Sequence, residues 1–164
     1  QKEWKAGYSK TSCAARIGHC KFFQDNTNYQ LHLAGTREKA LALNNLGLIE
    51  TERSNFPVAI DYLLKSNHIR ELMGDSSGMA VVYHNLAIIH RQTNNFEKAL
   101  ENYEKARKIN DKLGLKYNLS KNLNNMGQVY LELKDFAKAK SYCQQALNIK
   151  LELKDITKCN IITI

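Results

Sequence analysis

A single proline occurs in 164 residues. Proline breaks helix interiors, so its near-absence suits a chain that is almost entirely helical. The four cysteines, Cys13, Cys20, Cys143 and Cys159, show no C-x-x-C spacing and no paired framework. A disulfide scaffold is therefore not expected, and reduced thiols in a reducing, cytoplasmic location are. No apolar run reaches bilayer length and no signal peptide is visible, so no membrane partner is expected. The chain does begin at Gln1 rather than Met, which leaves room for a removed leader. The eight glycines are dispersed, and no phosphate-cradling loop, G-x-S-x-G turn or carboxylate dyad occurs. His84 and His90 stand six apart, not at the four-residue spacing of a helical metal pair, and His19 beside Cys20 lacks further ligands. Neither catalysis, nor a cofactor, nor a metal is expected.

A concentrated basic surface is missing as well. The net charge is +8, and successive stretches 1–40, 41–80, 81–120 and 121–164 carry +4, −2, +3 and +3. Lys and Arg alternate with acids, as in Glu104-Lys105-Ala106-Arg107. There is no basic run of five and no basic–aromatic interleaving, so a solvated helical face is the better reading and no specific nucleic acid is expected as partner.

What the chain does have is a period of 40 residues. Asn45, Asn85 and Asn125 share one phase, Phe56, Phe96 and Phe136 a second, Ala59, Ala99 and Ala139 a third, and Ile69, Ile109 and Ile149 a fourth. Self-similarity at this period signals stacked supersecondary units, none of which buries its apolar face alone.

Each copy reads as two helices. In copy one the first runs from about Glu38 to Glu52, with Leu41, Leu43, Leu46, Leu48 and Ile49 as its apolar residues. Second helices are expected over roughly 56–73, 96–113 and 136–153. Asn55, Asn95 and Asp135 are placed as their N-caps, and Pro57 sits in a first turn, where a missing N–H costs little. Gly74 and Gly114 suit the left-handed position after a helix, whereas copy three has Lys154 there. Small residues fall where helices must approach: Gly47, Ala87 and Gly127, then Ala59, Ala99 and Ala139, then Ser66, Ala106 and Ala146. Leu46, Leu86 and Met126 bracket them on one side and the three phenylalanines on the other, a pattern for tight helix pairs. Cys143 shares its phase with Leu63 and Tyr103 and is expected in the core.

Leu46-Gly47 with Phe56 and Ala59, Leu86-Ala87 with Phe96 and Ala99, and Met126-Gly127 with Tyr130, Phe136 and Ala139 together resemble the tetratricopeptide signature. The unit of 40 rather than 34 residues resembles the long-repeat type of Pins-type adaptors, kinesin light chains and bacterial peptide-pheromone receptors. The resemblance covers residues 38–155 and implies an all-α, right-handed solenoid of antiparallel helix pairs. The expected division is a degenerate or truncated repeat over 1–37, then repeats at 38–75, 76–115 and 116–155, with 156–164 opening a fourth repeat or a cap. An unfinished apolar face at Ile161, Ile162 and Ile164 makes the chain read as a piece of something longer and invites self-association.

In such stacks the first helices line a concave groove. The residues placed there are Asn44, Asn45, Leu48 and Glu52 in copy one, His84, Asn85, Ile88, Arg91 and Gln92 in copy two, and Lys121, Asn124, Asn125, Gln128 and Glu132 in copy three. A carboxamide offers donor and acceptor together, so the ladder Asn45, Asn85, Asn125 suits the backbone of an extended peptide, and the resemblance implies the same. The structural alternative is that each Asn bonds a neighbouring helix and fixes the angle between repeats. The Lys/Asn/Arg clamp of tetratricopeptide co-chaperones is not matched, because its phases hold Asn44 and Leu48, His84 and Ile88, Asn124 and Gln128. The expected function is a protein-interaction scaffold that holds an extended peptide or partner helix. The alternatives are a ligand- or peptide-sensing segment of a larger signalling protein and, more weakly, a helical repeat for nucleic acid.

Overall fold

A computed structural model describes the backbone of residues 35–161 and the side chains of residues 35–154. These residues fall almost wholly within one compact unit, Lys39–Ile164. The expected repeat over 1–37, Cys13, Cys20, Cys159 and the isoleucines at 162 and 164 lie outside that description.

Every described element is a helix or the turn between two helices. Helix α1 covers residues 35–52, followed by α2 (Phe56–Leu72), α3 (Ser76–Gln92), α4 (Phe96–Lys112), α5 (Lys116–Glu132) and α6 (Phe136–Ile161). From α2 onward a helix starts every 20 residues and packs on the next one in sequence. The turns repeat with the same spacing. Ser54, Gly74, Asn94, Gly114 and Lys134 all have φ near +60°, from 58° to 66°. Only the two glycines adopt that conformation freely. At the other three, the backbone bonds Asn55 N–H to Glu50 O (2.8 Å), Asn95 N–H to His90 O (2.8 Å) and Asp135 N–H to Tyr130 O (2.9 Å) close the helix ends and hold the strained residue in place.

Capping follows the expected pattern at two of three second helices. Asn95 accepts from Lys98 N–H at 3.4 Å and Asp135 from Lys138 N–H at 3.1 Å. Asn55 occupies the same position without capping, because its Nδ2 donates to Glu50 Oε2 at 2.9 Å instead. Lys154 brings no stop, since α6 runs on to Ile161.

The small residues do the packing expected of them. Ala59, Ala99, Ala139, Ala106, Ala146 and Ser66 are all buried, and Ser66 Oγ donates to Ala40 O at 2.7 Å, tying α2 to α1. At Gly47 an added Cβ would lie 2.8 Å from Leu63 Cγ, and at Gly127 2.6 Å from Cys143 Sγ, so neither site has room for a methyl group. Cys143 itself is only half-buried.

Two clusters form the core between repeats. Ala59, Leu63, Val82, Leu86 and Ile89 make the first, with Phe56 packed on it; Ala87, Ala99, Tyr103, Met126 and Val129 make the second, with Phe96. Each therefore joins a second helix to the first helix of the following copy. That dependence explains two departures at the ends. Leu46 is 41% exposed, whereas Leu86 and Met126 are buried, since no described helix precedes α1 in the way α2 precedes Leu86 and α4 precedes Met126. Phe136 is 67% exposed, since no described helix follows α6 in the way α3 follows Phe56 and α5 follows Phe96.

Candidate groove along the first helices

The side chains expected in the groove all stand on α1, α3 and α5, and the structure divides them into two groups. One group joins the repeats. Asn85 Nδ2 donates to Asn44 Oδ1 at 3.0 Å, linking α3 to α1, and both residues are buried. One repeat later Asn125 Nδ2 approaches His84 Nε2 at 3.5 Å, the same relation between the same two phases. His84 Nδ1 meets Asn122 Oδ1 at 2.5 Å. An amide oxygen only accepts, so Nδ1 carries the proton and Nε2 is left as the acceptor for Asn125. Burial, seconded by the charge of Lys121, lowers the pKa of His84, against the bond to Asn122 that raises it, and favours this neutral ring. Arg91 donates to Gln128 Oε1, another bridge from α3 to α5.

The second group faces outward. Asn45, Leu48, Glu52, Gln92, Lys121 and Glu132 are exposed, while Ile88 and Asn124 are half-buried. Ile88 rests on the second core cluster. The surface so formed mixes amides, two aliphatic side chains, a cation and two carboxylates.

Three buried residues that were not expected here border His84. Tyr103 on α4 is fully buried, with its ring edge-on to His84 at 5.5 Å. Its hydroxyl lies toward Asn125 without a completed hydrogen bond, and burial pushes its pKa up to about 12. Asn110 and Asn122 are buried amides at the boundary between copies two and three. Their signal in the sequence was a break in the repeat, since Asn122 stands where copy two has Val82 and Asn110 where copy one has Arg70. Among the described residues no group of three or more His, Cys, Asp or Glu gathers as a metal site would require, and no helix is long and apolar enough to cross a membrane.

Comparison with known proteins accords with this architecture. The family model for the tetratricopeptide repeat matches residues 38–112 and 78–152, and the chain belongs to that family. Tetratricopeptide repeats are protein-interaction scaffolds. Among solved structures, BtubC (BKLC) from P. vanneervenii superposes with a TM-score of 0.66 at 25% identity, over 70% of this chain and 48% of that one. The chain thus spans about half of BtubC. The N-terminal domain of stress-induced protein-1 (STI-1) from C. elegans shares the fold, with a TM-score of 0.60 at 18% identity over 70% of this chain and 86% of that domain. No curated protein sequence matches.

Proposed function

We propose that this solenoid holds an extended peptide segment of a protein partner along α1, α3 and α5. The observation that carries the reading is the division of labour among the groove side chains. Asn44, Asn85, His84, Asn125, Arg91 and Gln128 stiffen the surface through bonds between repeats, while Asn45, Leu48, Ile88, Gln92, Lys121 and Asn124 stay open toward solvent or partly so. A surface already held in shape loses little further entropy on binding, and exposed carboxamides beside aliphatic side chains suit a peptide backbone with apolar residues between its polar groups. The opposed charges of Lys121 and of Glu52 and Glu132 favour a partner segment of mixed sign over a purely acidic one.

Selection of a displayed random-peptide library on this chain tests the reading. Recovered peptides should lose binding to Ile88→Asp and Asn124→Asp variants and keep it on Val58→Asp, a change at an exposed position of α2. Peptides that bind all three variants equally would remove the groove from consideration.

A further inference from the structure

Between copies two and three the groove opens into a cleft of about 130 Å³ lined by His84, Asn85, Asn110, Asn118, Lys121 and Asn122, with Ala80 and Val81 as its apolar wall. The corresponding place between copies one and two is filled. There Arg70 reaches across, donating to Ser66 Oγ at 3.3 Å and pairing with Asp75 at 2.7 Å, and it occupies the space left by Gly78. In the next copy the same phases hold Asn110 for Arg70, Leu115 for Asp75 and Asn118 for Gly78. The shorter Asn110 has no acid to reach for and does not span the gap. The apolar floor changes too, because Asn122 replaces Val82.

This substitution of polar for apolar has a cost that the chain leaves uncompensated. Asn110 is 3% and Asn122 1% exposed, yet Asn110 Oδ1 and Asn122 Nδ2 have no hydrogen-bond partner. Buried amide atoms are almost always paired, so two orphans on one cleft mark a place where a further molecule supplies the partners. One orphan accepts and the other donates. Both atoms lie just beneath the lining of the cleft, and the bond from His84 to Asn122 Oδ1 leaves Nδ2 as the free donor of that amide.

We propose that this cleft is a subsite for a carboxamide, the side chain of a glutamine or asparagine in the groove-bound segment; the inference rests on the peptide-groove reading above. A carboxamide supplies a C=O for Asn122 Nδ2 and an N–H for Asn110 Oδ1. A carboxylate has no N–H and would set oxygen against Asn110 Oδ1, and an alkyl group would leave both atoms unpaired. Size agrees. Ligand pockets for whole small molecules run from about 300 Å³ upward, whereas this cleft has room for one side chain. Lys121 stands exposed at the mouth, where it meets the backbone of the segment rather than the buried group.

The test uses the whole chain and three probes: N-acetyl-glutamine methylamide, the matching glutamate compound and the matching norvaline compound. Side-chain amide resonances of Asn110 and Asn122 are followed by NMR during titration. The glutamine probe should shift both saturably, with affinity about tenfold or more above the other two, the loss expected for one or two buried hydrogen bonds. Asn122→Val, which restores the residue type of copy two, should abolish the shifts, and so should Asn110→Leu if the first variant folds poorly. Equal response to all three probes, or none up to tens of millimolar with only ordered water in the cleft, overturns the proposal. The library selection separates the two readings. Groove-dependent peptides without a glutamine or asparagine preference, and insensitive to Asn122→Val, would leave the groove standing and sink the subsite. Glutamine binding with no groove-dependent peptide would do the reverse.

Discussion

His84 Nδ1 donates to Asn122 Oδ1 at 2.5 Å, across the boundary from α3 to α5 and over 38 residues of sequence. The bond fixes the tautomer of the ring, presents Nε2 to Asn125 and holds the one buried amide that replaces a core valine. A single imidazole thus joins two repeats through both of its ring nitrogens.

Its protonation should be felt in stability. The folded-state pKa of His84 is lowered below 6.5, first by burial, as is that of His90, where burial and Lys98 outweigh Glu101. Below about pH 6.5 the unfolded chain therefore binds protons that the folded chain refuses, and stability falls as pH falls through that window toward the folded pKa values. Melting temperatures between pH 5 and 8 should show this slope. His84→Asn, which copies the type at Asn44 and Asn124, should flatten part of it and keep the bridge from Asn125. An unchanged slope would mean that His84 is open to protonation in the fold.

The joint between copies one and two should be intolerant of a methyl group. A Cβ at Gly78 would collide with the Arg70 guanidinium and with Asp75. Gly78→Ala should cost about 1–3 kcal/mol, the usual range for overpacking, and lower the melting temperature by several degrees. In an Arg70→Ala background the cost should shrink by at least about 0.5 kcal/mol, since contacting residues are non-additive. Equal costs in both backgrounds would show that Arg70 is not what fills the space.

Ala99 is fully buried in the cluster of Tyr103, Met126 and Val129. Ala99→Leu should destabilise by about 1–3 kcal/mol, more than any change among the exposed groove residues. Chemical denaturation of this variant beside Gln92→Ala compares the two directly, and an undiminished midpoint for Ala99→Leu would mean that α4 can shift to make room.

The asparagines of the repeat should fall into two kinds. Asn85→Ala with Asn125→Ala removes the bond to Asn44 and the contact with His84, so melting temperature should drop, each lost bond counting about 0.5–1.5 kcal/mol. Asn45→Ala, at an exposed position, should leave melting temperature alone and weaken a groove-selected peptide by up to about tenfold. Peptide affinity unmoved by Asn45→Ala would remove that residue from the ladder.

The 40-residue period made the helix pairs, the small-residue layers and the helix on which each groove residue stands legible in the sequence, because those depend on spacing along a helix. It did not distinguish asparagines that bridge repeats from those that face solvent. Asn44 and Asn45 are neighbours of one residue type, yet one is buried and the other exposed. That difference comes from where α3 lies, which no pattern within α1 records. Tyr103, Asn110 and Asn122 were legible only as breaks in the repeat, Tyr103 and Asn122 at phases held elsewhere by Leu63 and Val82, and Asn110 at a phase held by Arg70.

One five-residue segment marks the division between the two kinds of information. Leu-Glu-Leu-Lys-Asp occurs at residues 131–135 and again at 151–155. At the first site Lys134 takes φ 61°, Asp135 caps the next helix, and the chain turns so that α6 packs against α5. At the second the same residues continue as helix to Ile161. The sequence by itself determined the period, the helical class and the amphipathic faces, because local propensity and apolar spacing act within a few turns. Only the tertiary structure decided which helix ends become turns, which amides are buried and where a cleft stays open. A left-handed lysine costs energy that local sequence cannot offset and packing against a neighbouring helix can, and whether a buried amide finds a partner depends on the helix beside it.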